Sequence, residues 1–343
     1  MIQAAVPAFR HIARWDLDKT YLRTEFDTMR DLVKAALERP DEKRTHPGAG
    51  TLLREMTRAG ISVHILSGSP TQMRKRLEDK LRLDGIRWQS FVLKPNLRNV
   101  LRFRFRALRD QLGYKLPALL DARASMADGE LRTLSETLFG DDAEADAFVY
   151  SLYADVLSGR VDESTLALVC SNGRMYDDVL AHTLACARRI KPQPVVERIL
   201  IHLERQSLPE DLGAYGSRVI GFYNYLQAAF VVFEDGRIPA DGVLAVAQEM
   251  VQQHRFDGDQ LLRSYQELGR RGCLRGVGAG DLGNALGPYL AAKVDAPKAE
   301  LTHLVQGLRD AAPEAAALTR AITEETPDYA ALVMKHNRRH KKH

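Results

Sequence analysis

The chain has 343 residues, 45% hydrophobic and 27% charged, and its 49 Lys and Arg against 45 Asp and Glu leave a formal net charge of +4. That is enough apolar material for a sizeable core and more length than one average domain, so one large or two smaller domains are expected. No run of about 18 uncharged apolar residues marks a membrane span, and Cys170, Cys186 and Cys273 lack the spacing of a disulfide framework or a Cys-x-x-Cys site. Met1 to Pro7 runs straight into Arg10, His11 and Arg14 without a basic start and a longer apolar stretch, so a signal peptide is not indicated. With three scattered thiols, a cytoplasmic location is the expectation.

The first apolar run, Ile12-Ala13-Arg14-Trp15, reads as a buried strand and ends on Asp16-Leu17-Asp18-Lys19-Thr20. Just past a strand end, the chain can turn two carboxylates two residues apart toward one ligand. Anions that close repel unless a cation sits between them. Mg²⁺ suits that place, because it takes few protein carboxylates and keeps positions for water and phosphate oxygens. A solvated acidic turn is the competing reading of an isolated match, and the elements that follow weigh against it. Met29 to Leu37 and Leu52-Leu53-Met56 have helical spacing, with His46-Pro47-Gly48 between them. A second strand, Ile61 to Leu66, leads into Ser67-Gly68-Ser69-Pro70 and a helix start carrying Gln72, Met73 and Leu77. A hydroxyl with exposed N–H groups at such a turn makes a phosphate-binding corner.

A third strand, 91–93, is followed by Lys94, and Leu97 to Leu112 has helical spacing. Lys115 opens Lys115-Leu116-Pro117-Ala118-Leu119-Leu120, which reads as a helix start. A short apolar run, Glu136 to Phe139, enters the acidic stretch Gly140-Asp141-Asp142-Ala143-Glu144-Ala145-Asp146. Ser164 to Lys191 reads as helical, an insertion spanning about 160–192, before strands at 198–203 and 218–223 and a helix at 226–230. Short, mostly unalternating strands separated by helices predict an α/β fold, a parallel sheet covered on both faces, with chemistry at the carboxyl ends of its strands.

From about residue 256 the pattern is all helical. Leu261-Leu262-Tyr265-Leu268, Leu282-Leu286-Tyr289-Leu290, Leu301-Leu304-Val305-Leu308 and Ala316-Leu318-Ile322 read as core-facing stripes. Gly276-Val277-Gly278-Ala279-Gly280 lacks a preceding strand and a Lys-Ser/Thr ending, so it reads as a turn and not a nucleotide loop. His336 and His340, four apart near the end, have no companion ligands nearby in sequence. The tail from Lys335 to His343 holds five Lys and Arg and no acid, and without it 44 basic residues stand against 45 acidic ones. The positive balance is therefore local. The tail reads as a solvated end, with peripheral contact to anionic membrane or nucleic acid as its sharper reading.

The ordered set Asp16-x-Asp18-x-Thr20, Ser67, Lys115 and Asp141 to Asp146 resembles the four motifs of the haloacid-dehalogenase superfamily of phosphotransferases, over roughly residues 10 to 150. The finer pattern looks like the bacterial and fungal phosphatidate-phosphatase-like branch. It has Pro47-Gly48 ahead of the helix before the second strand, Ser67-Gly68-Ser69-Pro70 as a Ser-x-Ser-Pro, and Gly140, Asp141, Asp146 and Tyr150 in register with the last motif. Lys19 stands where that branch usually has Asp, and Asp142-Ala143-Glu144 replaces Ser-Gly-Gln.

The resemblance implies a Rossmann-like sheet with a small or absent cap over residues 1–255, a helical region at 256–334 and the tail at 335–343. It also implies an Mg²⁺-dependent phosphomonoester hydrolase acting through an aspartyl-phosphate, on phosphatidate or another bulky phosphate ester. Asp16 is the implied nucleophile and Asp18 the implied acid and base. Ser67 and Lys115 hold the phosphoryl group, with Lys94 the rival lysine, and Thr20, Gly68 and Ser69 line the substrate. Asp16, Asp141, Asp146 and the backbone carbonyl of Asp18 hold the metal. The short segment after Thr20 implies an open site or a cap from elsewhere, for which the 164–191 insertion and the C-terminal region are candidates. The alternatives are a phosphate- or nucleic-acid-binding protein with a residual site, and a phosphatase of polynucleotide ends.

Overall fold

The computed structural model describes residues 10–23, 43–94, 108–126, 134–205, 207–323 and 325–339. All six expected strands form: β1 (Arg10–Asp16), β2 (Ser62–Pro70), β3 (Ser90–Lys94), β4 (Leu134–Asp141), β5 (Val196–His202) and β6 (Val219–Phe222). They make one parallel sheet in the order β3-β2-β1-β4-β5-β6. This is the Rossmann-like order, in which the chain winds outward from β1 in one direction and from β4 in the other. The crevice at the carboxyl ends of β1 and β4 is therefore the switch point, where such sheets bind ligands.

Alternation along the strands divides the side chains between two covered faces. Ala13 and Trp15 of β1, Val63 and Ile65 of β2 and Phe139 of β4 lie in one buried cluster. Leu66, Leu138, Ile199 and Ile201 lie in the other. The first face is covered by α1 (Ala49–Arg58), α2 (Arg74–Leu83), α7 (Tyr225–Glu234) and α8 (Ala240–His254). The second is covered by α3 (Leu108–Ala124), α4 (Asp146–Leu157), α5 (Glu163–Asn172) and α6 (Asp177–Arg189). Each large side chain so buried contributes about 1.5–3 kcal/mol. Trp15 stacks on Phe139, its register partner on β4, with ring centroids 3.8 Å apart and planes within 11° of parallel.

The helices α9 (Gly258–Arg270), α10 (Ala279–Ala292) and α11 (Lys298–Leu318) share the first cluster with the sheet through Leu261, Leu282, Leu301 and Leu304. Three of the four C-terminal stripes therefore pack inward. The fourth is corrected: α11 ends at Leu318, and Leu318 and Ile322 are both exposed, because the helical period stops before the last apolar residue. Gly276 to Gly278 forms the turn into α10. Gly278 has φ +84, and a Cβ there would meet the Phe233 ring at 2.5 Å. The 160–192 insertion is the pair α5 and α6, with α6 packed on α3.

Two further expectations change. Lys115 does not open a helix: α3 begins at Leu108, and Pro117, whose missing N–H suggested a first turn, lies inside it. The sequence placed Lys335 and His336 in a solvated tail. Instead α12 (Tyr329–Arg339) carries both, and His336 Nε2 lies 2.9 Å from the Tyr215 hydroxyl. The helix expected at 29–37, most of that at 97–112, and residues 340–343 lie outside the described residues.

A buried ion pair ties the two central strands on the second face. Arg14 of β1 donates to Glu136 of β4 through Nε at 2.6 Å and Nη2 at 3.0 Å, and Tyr153 of α4 donates to the same carboxylate at 3.1 Å. Burial works to raise Glu136, but the charge and hydrogen bonds of Arg14, with Arg123 and Tyr153, outweigh it and leave the carboxyl lowered. Its contribution to stability is thus fully present above its ordinary value of 4.5 and is lost as pH falls through the lower folded-state value. We expect Arg14→Met to destabilise the fold by about 3 kcal/mol in urea melts at pH 7, since it leaves Glu136 charged and buried. The difference from wild type should shrink as the pH approaches 4. A loss that does not vary with pH would show that packing, not charge, is at stake.

Candidate active site

The turn after β1 folds back on itself. Tyr21 and Leu22 donate N–H bonds to the Leu17 carbonyl at 3.0 and 2.8 Å, and Lys19 takes a positive φ of 60°. Tyr225 of α7 donates its hydroxyl to the Thr20 carbonyl and pins the turn from below. Asp16 and Asp18 therefore point into the space above β1 between its neighbours β2 and β4. On the β4 side, Asp141 closes the strand and Asp146 opens α4. Gly140 makes that return possible, since a Cβ there would stand 2.5 Å from an Asp146 carboxylate oxygen. On the β2 side, the register with β3 shifts between Ser67 and Pro70, an irregularity that carries Ser67 and Ser69 to the site. Tyr114 of α3 holds this edge by donating to the Ser67 carbonyl at 2.8 Å.

Lys115 joins these strand ends. Its ammonium lies 3.0 Å from Asp16 Oδ1 and 2.9 Å from Glu144 Oε2, and it donates a short bond to Asp146. Burial works to lower its pKa, but Asp146, Asp16 and Glu144 overcome that and hold it well above the ordinary lysine value. Lys94, at the end of β3, lies near enough to feel Glu144 and Lys115, and burial lowers it. Lys115 is the lysine in contact with Asp16. Mid-helix placement suits this, because the side chain projects sideways from α3 onto the sheet ends.

The carboxylates fall into two groups. Asp18 accepts from Ser67 Oγ at 2.7 Å and from Ser69 Oγ at 2.9 Å, while Ser69 N–H donates to Ser67 Oγ at 3.0 Å. Asp16, Asp141, Glu144 and Asp146 form the other group, each offering an oxygen within 4.8 Å of the others. Thr20 Oγ1 lies between Asp16 and Asp141, at 3.3 and 3.4 Å. Asp141 also accepts the N–H groups of Ala143 and Glu144 at 2.7 and 3.0 Å. Burial, and then their mutual repulsion against the pull of Lys115, raises Asp16 and Asp141 well above the carboxylate range and Asp146 to about 6. Burial, opposed by the serine hydroxyls, raises Asp18.

This is the electrostatics of a site short of positive charge. Among the described residues, four buried or nearly buried carboxylates share the Lys115 ammonium, with Lys19 adding a lesser attraction on Asp141, and Asp16 Oδ1 accepts no hydrogen bond beyond its 3.0 Å ion pair with Lys115. An all-oxygen, anionic donor set suits a hard divalent cation. The Asp18 side chain is not in that set, so a metal role for Asp18 would fall to its backbone carbonyl. Gly68 borders the site, and a Cβ there would meet nothing within 4 Å.

Glu144 is the participant that sequence reasoning left without a role. It appeared as a departure from the family pattern, three residues after Asp141, and the turn into α4 swings it onto Lys115. Asp142 points the other way and accepts from the N–H groups of Arg205 at 2.8 Å and Ser207 at 3.0 Å. Asp16, Thr20, Ser67, Lys115, Asp141 and Asp146 have no exposed surface. Gly68 and Glu144 are partly exposed, so the approach lies on their side. Among the described residues no helix is long and apolar enough to cross a membrane. No protein-family model matches the chain, and neither a curated protein nor a solved structure matches it significantly.

Proposed function

We propose that the protein is an Mg²⁺-dependent phosphomonoester hydrolase of the haloacid-dehalogenase type. The observation that carries this reading is the convergence of Asp16, whose Oδ1 lies 3.0 Å from the Lys115 ammonium, on that lysine and a ring of carboxylates at the switch point of a parallel sheet. Binding alone would not call for a carboxylate nucleophile beside a separate, hydroxyl-bonded carboxylic acid.

Asp16 attacks phosphorus and forms an aspartyl-phosphate as the bond to the leaving alcohol breaks. Asp18 gives its proton to that alcohol, a task suited to a carboxyl that burial raises. It then takes a proton from the water that cleaves the acyl phosphate, releasing inorganic phosphate and restoring Asp16. Lys115 balances the charge on the phosphoryl oxygens, and Glu144 occupies the contact that one of those oxygens would take. Ser67 and Ser69 keep Asp18 oriented and offer hydroxyls beside the phosphoryl group. Asp16, Asp141 and Asp146, with the Asp18 carbonyl, would hold Mg²⁺, and Glu144 stands within reach of them. When bound, the ion supplies the charge neutralisation that lets one anion approach another. Phosphatidate is the substrate class to which the family pattern points. A panel of aryl phosphate, phosphatidate, nucleotides and 3′-phosphorylated DNA, with and without Mg²⁺, tests it. No Mg²⁺-dependent phosphate release from any of them would end the reading.

Asp16→Asn should lower phosphate release by at least about 10³-fold, as expected for loss of a nucleophile. The protein should stay folded with an equal or higher Tm without metal, because the amide relieves repulsion in the cluster. Release at the wild-type rate would exclude the aspartyl-phosphate.

Asp141→Ala should weaken Mg²⁺ binding at least about tenfold in a metal titration, whereas Asp142→Ala, which removes an anchor for the 205–207 backbone, should change it little. A larger effect from Asp142 would overturn the assignment of the last acidic motif.

A further inference from the structure

Beside the catalytic turn lies a second convergence of ligand atoms with different chemistry. His46 precedes α1, His202 ends β5 next to Asp141 of β4, and Glu204 follows two residues later. Glu204 Oε2 is 3.7 Å from His46 Nε2 and 3.8 Å from His202 Nδ1, and the two rings meet edge to face at 4.4 Å. Donors around a tetrahedral ion with bonds near 2.0–2.1 Å stand about 3.3–3.4 Å apart, so these contacts need to tighten by only about 0.4 Å. His46 is 3% exposed, and its Nε2, which faces Glu204, has no hydrogen-bond partner among the described residues. A buried, unsatisfied imidazole nitrogen is destabilising, and a bound ion would satisfy it.

We propose that His46, His202 and Glu204 form a binding site for a divalent first-row transition ion of the zinc type, distinct in its donors from the acidic cluster. Two imidazoles and one carboxylate are a donor set for such ions and a poor one for Mg²⁺, which prefers oxygen. The surroundings support it. Both imidazoles are buried, and burial disfavours their protonated forms. Asp142, which takes no part in the acidic cluster, grips the N–H groups of Arg205 and Ser207 and so positions the loop that carries Glu204. The positive charge of Arg23 opposes a cation here, while Asp142 and Glu204 favour one. The site does not depend on the phosphatase reading.

The test uses the full chain, stripped with a chelator and titrated with Co²⁺ under excess Mg²⁺, with visible absorption as the readout. One equivalent should bind and give the spectrum of a four- or five-coordinate ion. His46→Gln should abolish that signal. Glu204→Gln, whose side chain is 37% exposed and safe to change, should weaken it at least about tenfold. Asp16→Asn should leave it unchanged. The absence of stoichiometric binding by the wild type, undiminished binding by Glu204→Gln, or loss of the signal in Asp16→Asn with retention in His46→Gln would each overturn the proposal.

Discussion

The Lys115 ammonium, fully buried among Asp16, Glu144 and Asp146, is the interaction on which the candidate site depends. It comes from the middle of α3 and meets carboxylates from the end of β1, the turn after β4 and the first residue of α4. Without it, four carboxylates within reach of one another would share a space that excludes water, and repulsion would raise them until they took up protons or moved apart. With it, and with Lys19 acting on Asp141, the carboxylates still outnumber the cations near them among the described residues. The fold thus holds the cluster together while leaving it in need of a cation. That imbalance is the physical basis for proposing Mg²⁺ and phosphoryl chemistry at this place.

A second buried charge pair supports the first from below. Arg14 and Glu136 cross-link β1 and β4 two residues before Asp16 and five before Asp141, in the two strands whose ends carry the acids. Trp15 stacks on Phe139 on the opposite face of the same strand pair. The central strands are thus fastened on both faces directly beneath the site. The turn above them is held in its own right by Tyr225 bonding to Thr20, and the β2 edge by Tyr114 bonding to Ser67. Catalytic geometry of this kind tolerates little looseness, and here the supports come from α3, α7 and both central strands.

Much of the fold was legible in the chain because parallel strands buried on both faces are short, continuous apolar runs, and each of the six stood out between helical segments. The acids at the ends of β1 and β4 were legible for the same reason, since their meaning follows from where a strand stops. Lys115 was found, but its setting was misjudged: Pro117 carries the local signal of a helix start, and only packing against the sheet keeps α3 continuous through it. Glu144 had no local signal. Its role arises from the direction in which the turn between β4 and α4 leaves the sheet, which Gly140 permits but does not by itself aim at Lys115. His46 and His202, 156 positions apart in the chain, are likewise unrelated until β5 is laid beside β4.

By itself, then, the sequence determined the class of fold and the strand ends that carry acidic side chains. These depend on short-range patterns of burial and turn, which neighbouring residues specify. Which lysine meets Asp16, which of Asp142 and Glu144 joins the cluster, how deeply the site is buried, and that two distant histidines share a space with Glu204 were decided by tertiary structure alone. Contacts of that kind depend on the order in which parallel strands lie side by side and on the angles at which helices leave them. Those are set by the packing of the whole core, not by any single stretch of chain.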